Sequence, residues 1–283
     1  MEDAVTGAPA RRTLTATIVA VGPPERTREA HEVLQALAAK TAVRNILITL
    51  GDNPAPEIRT EGDVVTIEGL VPRYLNNAVA RLRVSSMPSL AWWRGGEREE
   101  LESLADLVDR VVLDSVDPTR DWAVADTIAQ STTISDLRWT RLTRWRSLVA
   151  QFFDITDARI DGTVFSTLDV RGGDPWSGRL FGAWMTSRLP HGESLQVNVE
   201  EVSGGAPIES ISLAGDGTRL FLRLLPNRHC IESSVEKSGE VLASRIGPAV
   251  DDRLEVLLGE ELRVRSRDVA FEDALRQAKV IHD

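Results

Sequence analysis

One cysteine, one tyrosine, three methionines and four histidines are all that 283 residues hold of these types. A single thiol, Cys230, cannot close an intramolecular disulfide, and so sparse a cysteine content fits a reducing compartment, so a cytoplasmic location is expected. Long apolar runs are missing too. Nothing approaches the ~20 consecutive apolar residues of a membrane span, and no membrane partner is expected. Arg11-Arg12 ahead of TLTATIVAVG imitates the start of a signal peptide, but Leu14, Ala16, Ile18 and Ala20 alternate as in a strand. The reading is a first β-strand behind a disordered tail, residues 1–12. Positive charge is in the minority, with a formal net charge of −10. An acidic body opposes phosphate neutralisation, so no nucleic-acid partner is expected.

Catalytic signatures are scarce as well. The first βα turn is Val21-Gly-Pro-Pro-Glu25, and the chain contains no G-x-G-x-x-G, no G-x-x-x-x-G-K-[ST] and no G-x-S-x-G. His31 sits on an expected helix without a ligand at metal spacing, His191 follows Pro190 in a loop, and His282 adjoins the terminus. His229 and Cys230 are strand neighbours that point to opposite faces. The acid pairs Glu99-Glu100, Glu200-Glu201 and Glu260-Glu261 diverge for the same reason and read as solvated faces. No cofactor, no metal site and no catalytic residue are expected, and the chain is read as not an enzyme.

What is present is tryptophan. Four of the seven fall in two segments, Ser89-Leu-Ala-Trp-Trp-Arg94 and Asp136-Leu-Arg-Trp-Thr-Arg-Leu-Thr-Arg-Trp-Arg146. Indole planes alternating with guanidinium groups suit stacking, capture of phosphate or carboxylate, and anchoring of a protein interface. The partner- or ligand-binding candidates are Trp92, Trp93, Arg94, Trp139, Arg141, Trp145 and Arg146, with Trp184 and Arg188 second. Packing competes at each. Trp145 lies on an apolar helical stripe, at least one of Trp92 and Trp93 must face inward, and Arg141 and Arg146 suit an internal ion pair as well as an external ligand.

The periodicities give an α/β fold: an N-terminal βαβ-type, mainly parallel sheet with flanking helices, then an α+β half with an antiparallel sheet. Strands are expected at Val43–Leu50, Val64–Val71, Ser89–Trp93 and Val111–Leu113, and helices at Glu25–Lys40, Leu75–Val84 and Glu97–Leu107. The domains are placed at 13–116 for the α/β part, 117–156 for a helical bridge carrying the Trp/Arg motif, and 157–283 for the α+β part. Within the bridge, Trp139 and Arg141 are read as a turn before a helix that Thr143 caps, closing near Asp154. From Ala158 onward strands follow one another, interrupted by a helix over Gly178–Leu189. Asp216-Gly217 and Ser238-Gly239 read as hairpin turns, and helices over Pro248–Gly259 and Phe271–Ile281 close the chain.

The run DLRWTRLTRWRSLVAQFFD and the Trp-Trp segment before it resemble the glucose-6-phosphate dehydrogenase assembly protein (OpcA) family, in which a similar Leu-x-Trp-x-Arg-Leu-Thr-x-Trp-Arg run follows a similar Trp-Trp segment. Gly182-Ala-Trp-Met-Thr-Ser-Arg-Leu189, Leu257-Leu-Gly-Glu-Glu-Leu262 and Asp268-Val-Ala-Phe-Glu-Asp-Ala-Leu275 extend the likeness. The resemblance implies a non-catalytic assembly factor or allosteric activator that binds glucose-6-phosphate dehydrogenase and supports NADPH production. The competing reading is a sensor domain that holds a sugar phosphate or nucleotide at the Trp/Arg cluster. The family pattern has Pro where Arg144 stands. Redox sensing through cysteine pairs, described for some members, does not transfer to a chain with Cys230 alone.

Overall fold

The computed structural model describes residues 14–153, 162–264 and 266–280. The expected tail at 1–12, the helix end at Asp154, the strand region's start at Ala158, the last helix's end at Ile281, and His282 lie outside the described residues. Contacts divide the chain into two compact units that meet between Val111 and Val112.

The first unit runs β1 (Ala16–Gly22), α1 (Pro24–Lys40), β2 (Val43–Asn53), β3 (Glu57–Glu61), β4 (Val64–Leu70), α2 (Leu75–Leu82), β5 (Ser89–Trp93), α3 (Arg98–Ala105) and β6 (Arg110–Leu113), the last crossing the boundary. The sheet order is β3-β4-β2-β1-β5-β6. β1 pairs in parallel with β2 on one side and β5 on the other, and β2 pairs in parallel with β4. All of β1 is buried, as expected of a central parallel strand covered on both faces. α1 opens with proline, whose missing N–H would have no helical partner there, and buries Ala30, Val33, Leu34 and Leu37. β3 escaped the sequence pattern because it is an edge strand, antiparallel to β4, with all five residues exposed. The chain steps outward from β1 through β2 to β4, then returns to β1's other side for β5. That reversal is the topological switch point of an open α/β sheet.

The second unit contains α4 (Thr119–Ser131), β7 (Thr133–Asp136), α5 (Leu137–Arg141), α6 (Thr143–Phe153), β8 (Thr167–Gly172), α7 (Pro175–Arg188), β9 (Gln196–Glu201), β10 (Ser210–Gly215), β11 (Thr218–Leu224), β12 (Cys230–Lys237), β13 (Glu240–Pro248), α8 (Leu254–Glu261) and α9 (Val269–Val280). Its sheet has the order β13-β12-β11-β10-β8-β9. The sheet is mixed, not wholly antiparallel: β9 pairs in parallel with β8, because α7 forms a crossover that returns the chain in its original direction. The crossover helix lies very close to the sheet. A Cβ added to Gly182 would come within 2.5 Å of Val197 Cγ1, and one added to Gly178 within 2.7 Å of Val199 Cγ1. At Asp216-Gly217 and Ser238-Gly239 all four residues have positive φ, as tight hairpins require.

Candidate functional site

The expected turn at Trp139 and Arg141 is a helix, α5, because Asp136 caps it. The Asp136 carboxylate accepts from the Arg138 backbone N–H at 2.8 Å and from the Trp122 indole at 2.9 Å. Thr143 opens α6, where its hydroxyl accepts from the Arg146 guanidinium at 3.2 Å. Buried Arg138 donates to the Ser115 carbonyl at 2.8 Å and to Asp174 at 3.1 Å, and lies 3.5 Å from Asp136. Burial pulls its pKa down, but Asp136, Asp174 and Asp114 outweigh burial and hold it above the ordinary value. Asp174 is also the N-cap of α7, so Arg138 fastens α5 to the start of that helix.

Trp139 is 2% exposed. Its indole N–H donates to Asp268 at 2.7 Å, and its ring packs on Phe271 at 5.6 Å between centroids. The Arg146 guanidinium lies 3.5 Å over the indole. Burial lowers the Arg146 pKa to about 10, with Asp268 opposing. One residue along, Thr140 and Ser135 both donate to the buried Glu261 carboxylate, at 2.5 and 3.0 Å. Asp268 in turn accepts from the Phe271 N–H at 3.0 Å, in the first turn of α9. The central motif and the two closing segments are therefore one hydrogen-bonded structure. Asp136, Glu261 and Asp268 were not among the sequence candidates; Asp136 and Asp268, each an acid just before a helix, carried a local signal.

Trp145 is buried, and Arg141 is half-buried beside it on a cavity wall. Arg144, standing where the family pattern has proline, donates to the Pro248 carbonyl at 3.1 Å. Trp184 is half-buried with its ring 5.3 Å from Phe181, and exposed Arg188 lies 3.4 Å from Asp273.

In the first unit Trp92 and Trp93 are both fully buried, because β5 is an interior strand covered on both faces. Arg94, its side chain 1% exposed, stacks over Trp92 at 4.5 Å. From there it donates to the Arg26 carbonyl at 2.8 Å and to Glu29 at 2.5 Å, both in α1. It thus crosses the switch point above the β1–α1 turn, where a Cβ on Gly22 would already sit 3.0 Å from the Arg94 Cβ. Beside the turn, a Cβ on Gly95 would touch Pro23 at 3.5 Å. Pro23 and Pro24 also remove two of the backbone N–H groups that such a turn offers to a phosphate.

The histidines have ordinary surroundings. His31 contacts Gln35 at 2.9 Å and Glu61 at 3.3 Å, and His191 and His229 are exposed. Among the described residues no group of three His, Cys, Asp or Glu could hold a metal, and no helix is long and apolar enough to cross a membrane.

A family model described as the C-terminal domain of a glucose-6-phosphate dehydrogenase subunit matches residues 132–275, the stretch from β7 into α9. A protein of Synechocystis sp. with the provisional name OxPP cycle protein OpcA is 25% identical over 140 residues, 45% of this chain and 30% of that protein. A second of that name, from Nostoc punctiforme, is 26% identical over 157 residues, 51% and 32% of the respective chains. The match thus spans about a third of the length of these curated relatives. In fold, the chain is similar to aldose-aldose oxidoreductase from Caulobacter crescentus, with a TM-score of 0.50 over 95% of this chain and 96% of that one at 12% identity.

Proposed function

Because this chain belongs to the OpcA family, tied by its C-terminal domain to glucose-6-phosphate dehydrogenase, we propose that it is a non-catalytic cytoplasmic partner of that enzyme. It assists assembly or activates allosterically, and so supports NADPH production in the oxidative pentose phosphate pathway. The observation that carries the non-catalytic half of this reading is Arg94. An open α/β sheet binds its dinucleotide at the switch point, and here a guanidinium anchored on α1 occupies that crevice. The partnership half rests on the family match. Within the matched stretch most motif residues hold one another, which suits a scaffold for a docking surface better than a reaction centre. Trp184 and Arg188, which reach the surface of α7, are the contact residues this reading favours.

An activator must bind the active conformation or oligomer of its enzyme more tightly than the inactive one, since equal affinity shifts nothing. A coupling of ~1–3 kcal/mol is ordinary for such an effect. The test mixes the purified chain with its cognate dehydrogenase, reading activity at limiting substrate and sedimentation of the mixture. Activity should rise with a heavier complex, while the chain alone should reduce no NADP. If saturating chain changes neither activity nor assembly state, the assignment fails; turnover that co-purifies with the chain would remove its non-catalytic half.

A further inference from the structure

Arg141, Arg228 and Asp252 meet around a cavity of about 130 Å³ in the second unit, walled by Trp145, Ile208 and Ile231. The volume is well above the ~10–15 Å³ that one water requires. Among the described residues, neither guanidinium has a carboxylate oxygen within 4.0 Å or a hydrogen-bond acceptor, and Asp252 has no partner either. Many other arginines of this acidic chain are ion-paired, and what distinguishes these two is that both line one cavity. Arg138, Arg171, Arg188, Arg223 and Arg253 each lie within 4.0 Å of a carboxylate. Arg228 is moreover held in the left-handed region, φ 57°, by a turn in which its N–H donates to the Leu225 carbonyl at 2.8 Å. A β-substituted residue adopts that conformation at a cost, which fixes where its side chain leaves the backbone.

We propose that this cavity is a binding site for a phosphate monoester, with the dianionic phosphoryl group between Arg141 and Arg228. Two guanidinium forks supply charge-assisted donors to tetrahedral oxyanions, one from half-buried Arg141 beside the apolar wall and one from exposed Arg228 at the rim. Asp252 is placed to accept from a hydroxyl on the ester's organic half, and it leaves the cavity with one net positive charge. The site does not rest on partnership with the dehydrogenase, and it can be tested on the chain alone.

The experiment is calorimetric titration of the full chain, in chloride buffer, with inorganic phosphate and with glycerol 3-phosphate. The expected result is saturable one-to-one binding of both, tighter for the ester. Arg141→Gln and Arg228→Asn should each weaken it about tenfold or more, the equivalent of ~1.4 kcal/mol. Asparagine is chosen because it tolerates positive φ, so the turn is kept. Arg245→Gln, at an exposed guanidinium of β13, should change nothing. Melting temperatures without ligand should match the parent, and exposed Arg228 carries the test should the Arg141 variant not fold. No saturation up to about 10 mM of either probe overturns the proposal, as does binding indifferent to both substitutions. So does an Asp252→Asn variant that melts lower than the parent while the parent binds neither probe, since Asp252 is then the arginines' own counter-ion.

Discussion

Trp139 is the residue at which a brace and a docking anchor give opposite outcomes. Its indole is 2% exposed, bonded to Asp268, flanked by Phe271 and covered by Arg146. Trp139→Ala removes that packing and should cost ~3–5 kcal/mol. Against a typical domain stability of ~5–15 kcal/mol this is a large fraction. Trp139→Phe separates the terms. It keeps an aromatic ring against Phe271 but takes the donor from Asp268 Oδ2, while Oδ1 still accepts from the Phe271 N–H. Asp268 is half-buried and charged, and losing one hydrogen bond to such a group costs ~1–3 kcal/mol. At ~2–4 °C per kcal/mol for a body of this size, the Phe variant should melt about 2–12 °C lower and the Ala variant lower still. The assay is urea and thermal unfolding by circular dichroism, with activation of the dehydrogenase measured well below each transition. The structural role requires activation by folded Trp139→Phe to equal the parent's. A Trp139→Ala protein that loses less than ~1 kcal/mol yet no longer activates would refute the reasoning and make the indole a contact.

Three further outcomes follow from the geometry. Gly182→Ala places a methyl 2.5 Å from Val197 Cγ1 and should destabilise by ~1–3 kcal/mol despite its better helix propensity; adding Val197→Ala should recover part of the loss, and additive effects would contradict the close contact. Arg146→Met keeps contact with Trp139 and removes a cation whose folded pKa, about 10, is below its unfolded one. The folded state then binds fewer protons above that pH, so the stability of the parent relative to the variant should rise as pH passes upward through about 10, and a fall there would refute the burial cost. Saturating NADP should leave the melting temperature within about 1 °C, because Arg94 occupies the crevice; a concentration-dependent rise would reopen it.

The strands and helices that bury a stripe were legible from periodicity, and β5 matches its expected bounds residue for residue. The elements missed had no stripe to show: β3 is wholly exposed, and β7 is four residues long. At the Trp/Arg motif the residue types were readable but their partners were not. Ser135 and Glu261 are 126 positions apart, and Trp139 and Asp268 are 129. Nothing local marks a carboxylate as the acceptor for a hydroxyl that distant. Trp92 and Trp93 illustrate the converse. Alternation in a strand implies one inward and one outward residue, yet a parallel strand sandwiched between layers buries both. The left-handed Arg228 had no sequence signal, since arginine is not a residue that position favours.

The bonds that join α5 to Glu261 and Asp268 also set an order of events during synthesis. Ser135, Thr140 and the Trp139 indole emerge from the ribosome more than a hundred residues before their acceptors. Until those acceptors arrive the motif can collapse but its donors must stay hydrated, so the second unit commits to its fold late and through long loop closures. A chain stopped before Glu261 would leave the fault not at its new end but in a helix translated long before, presenting apolar indole to chaperones and proteases.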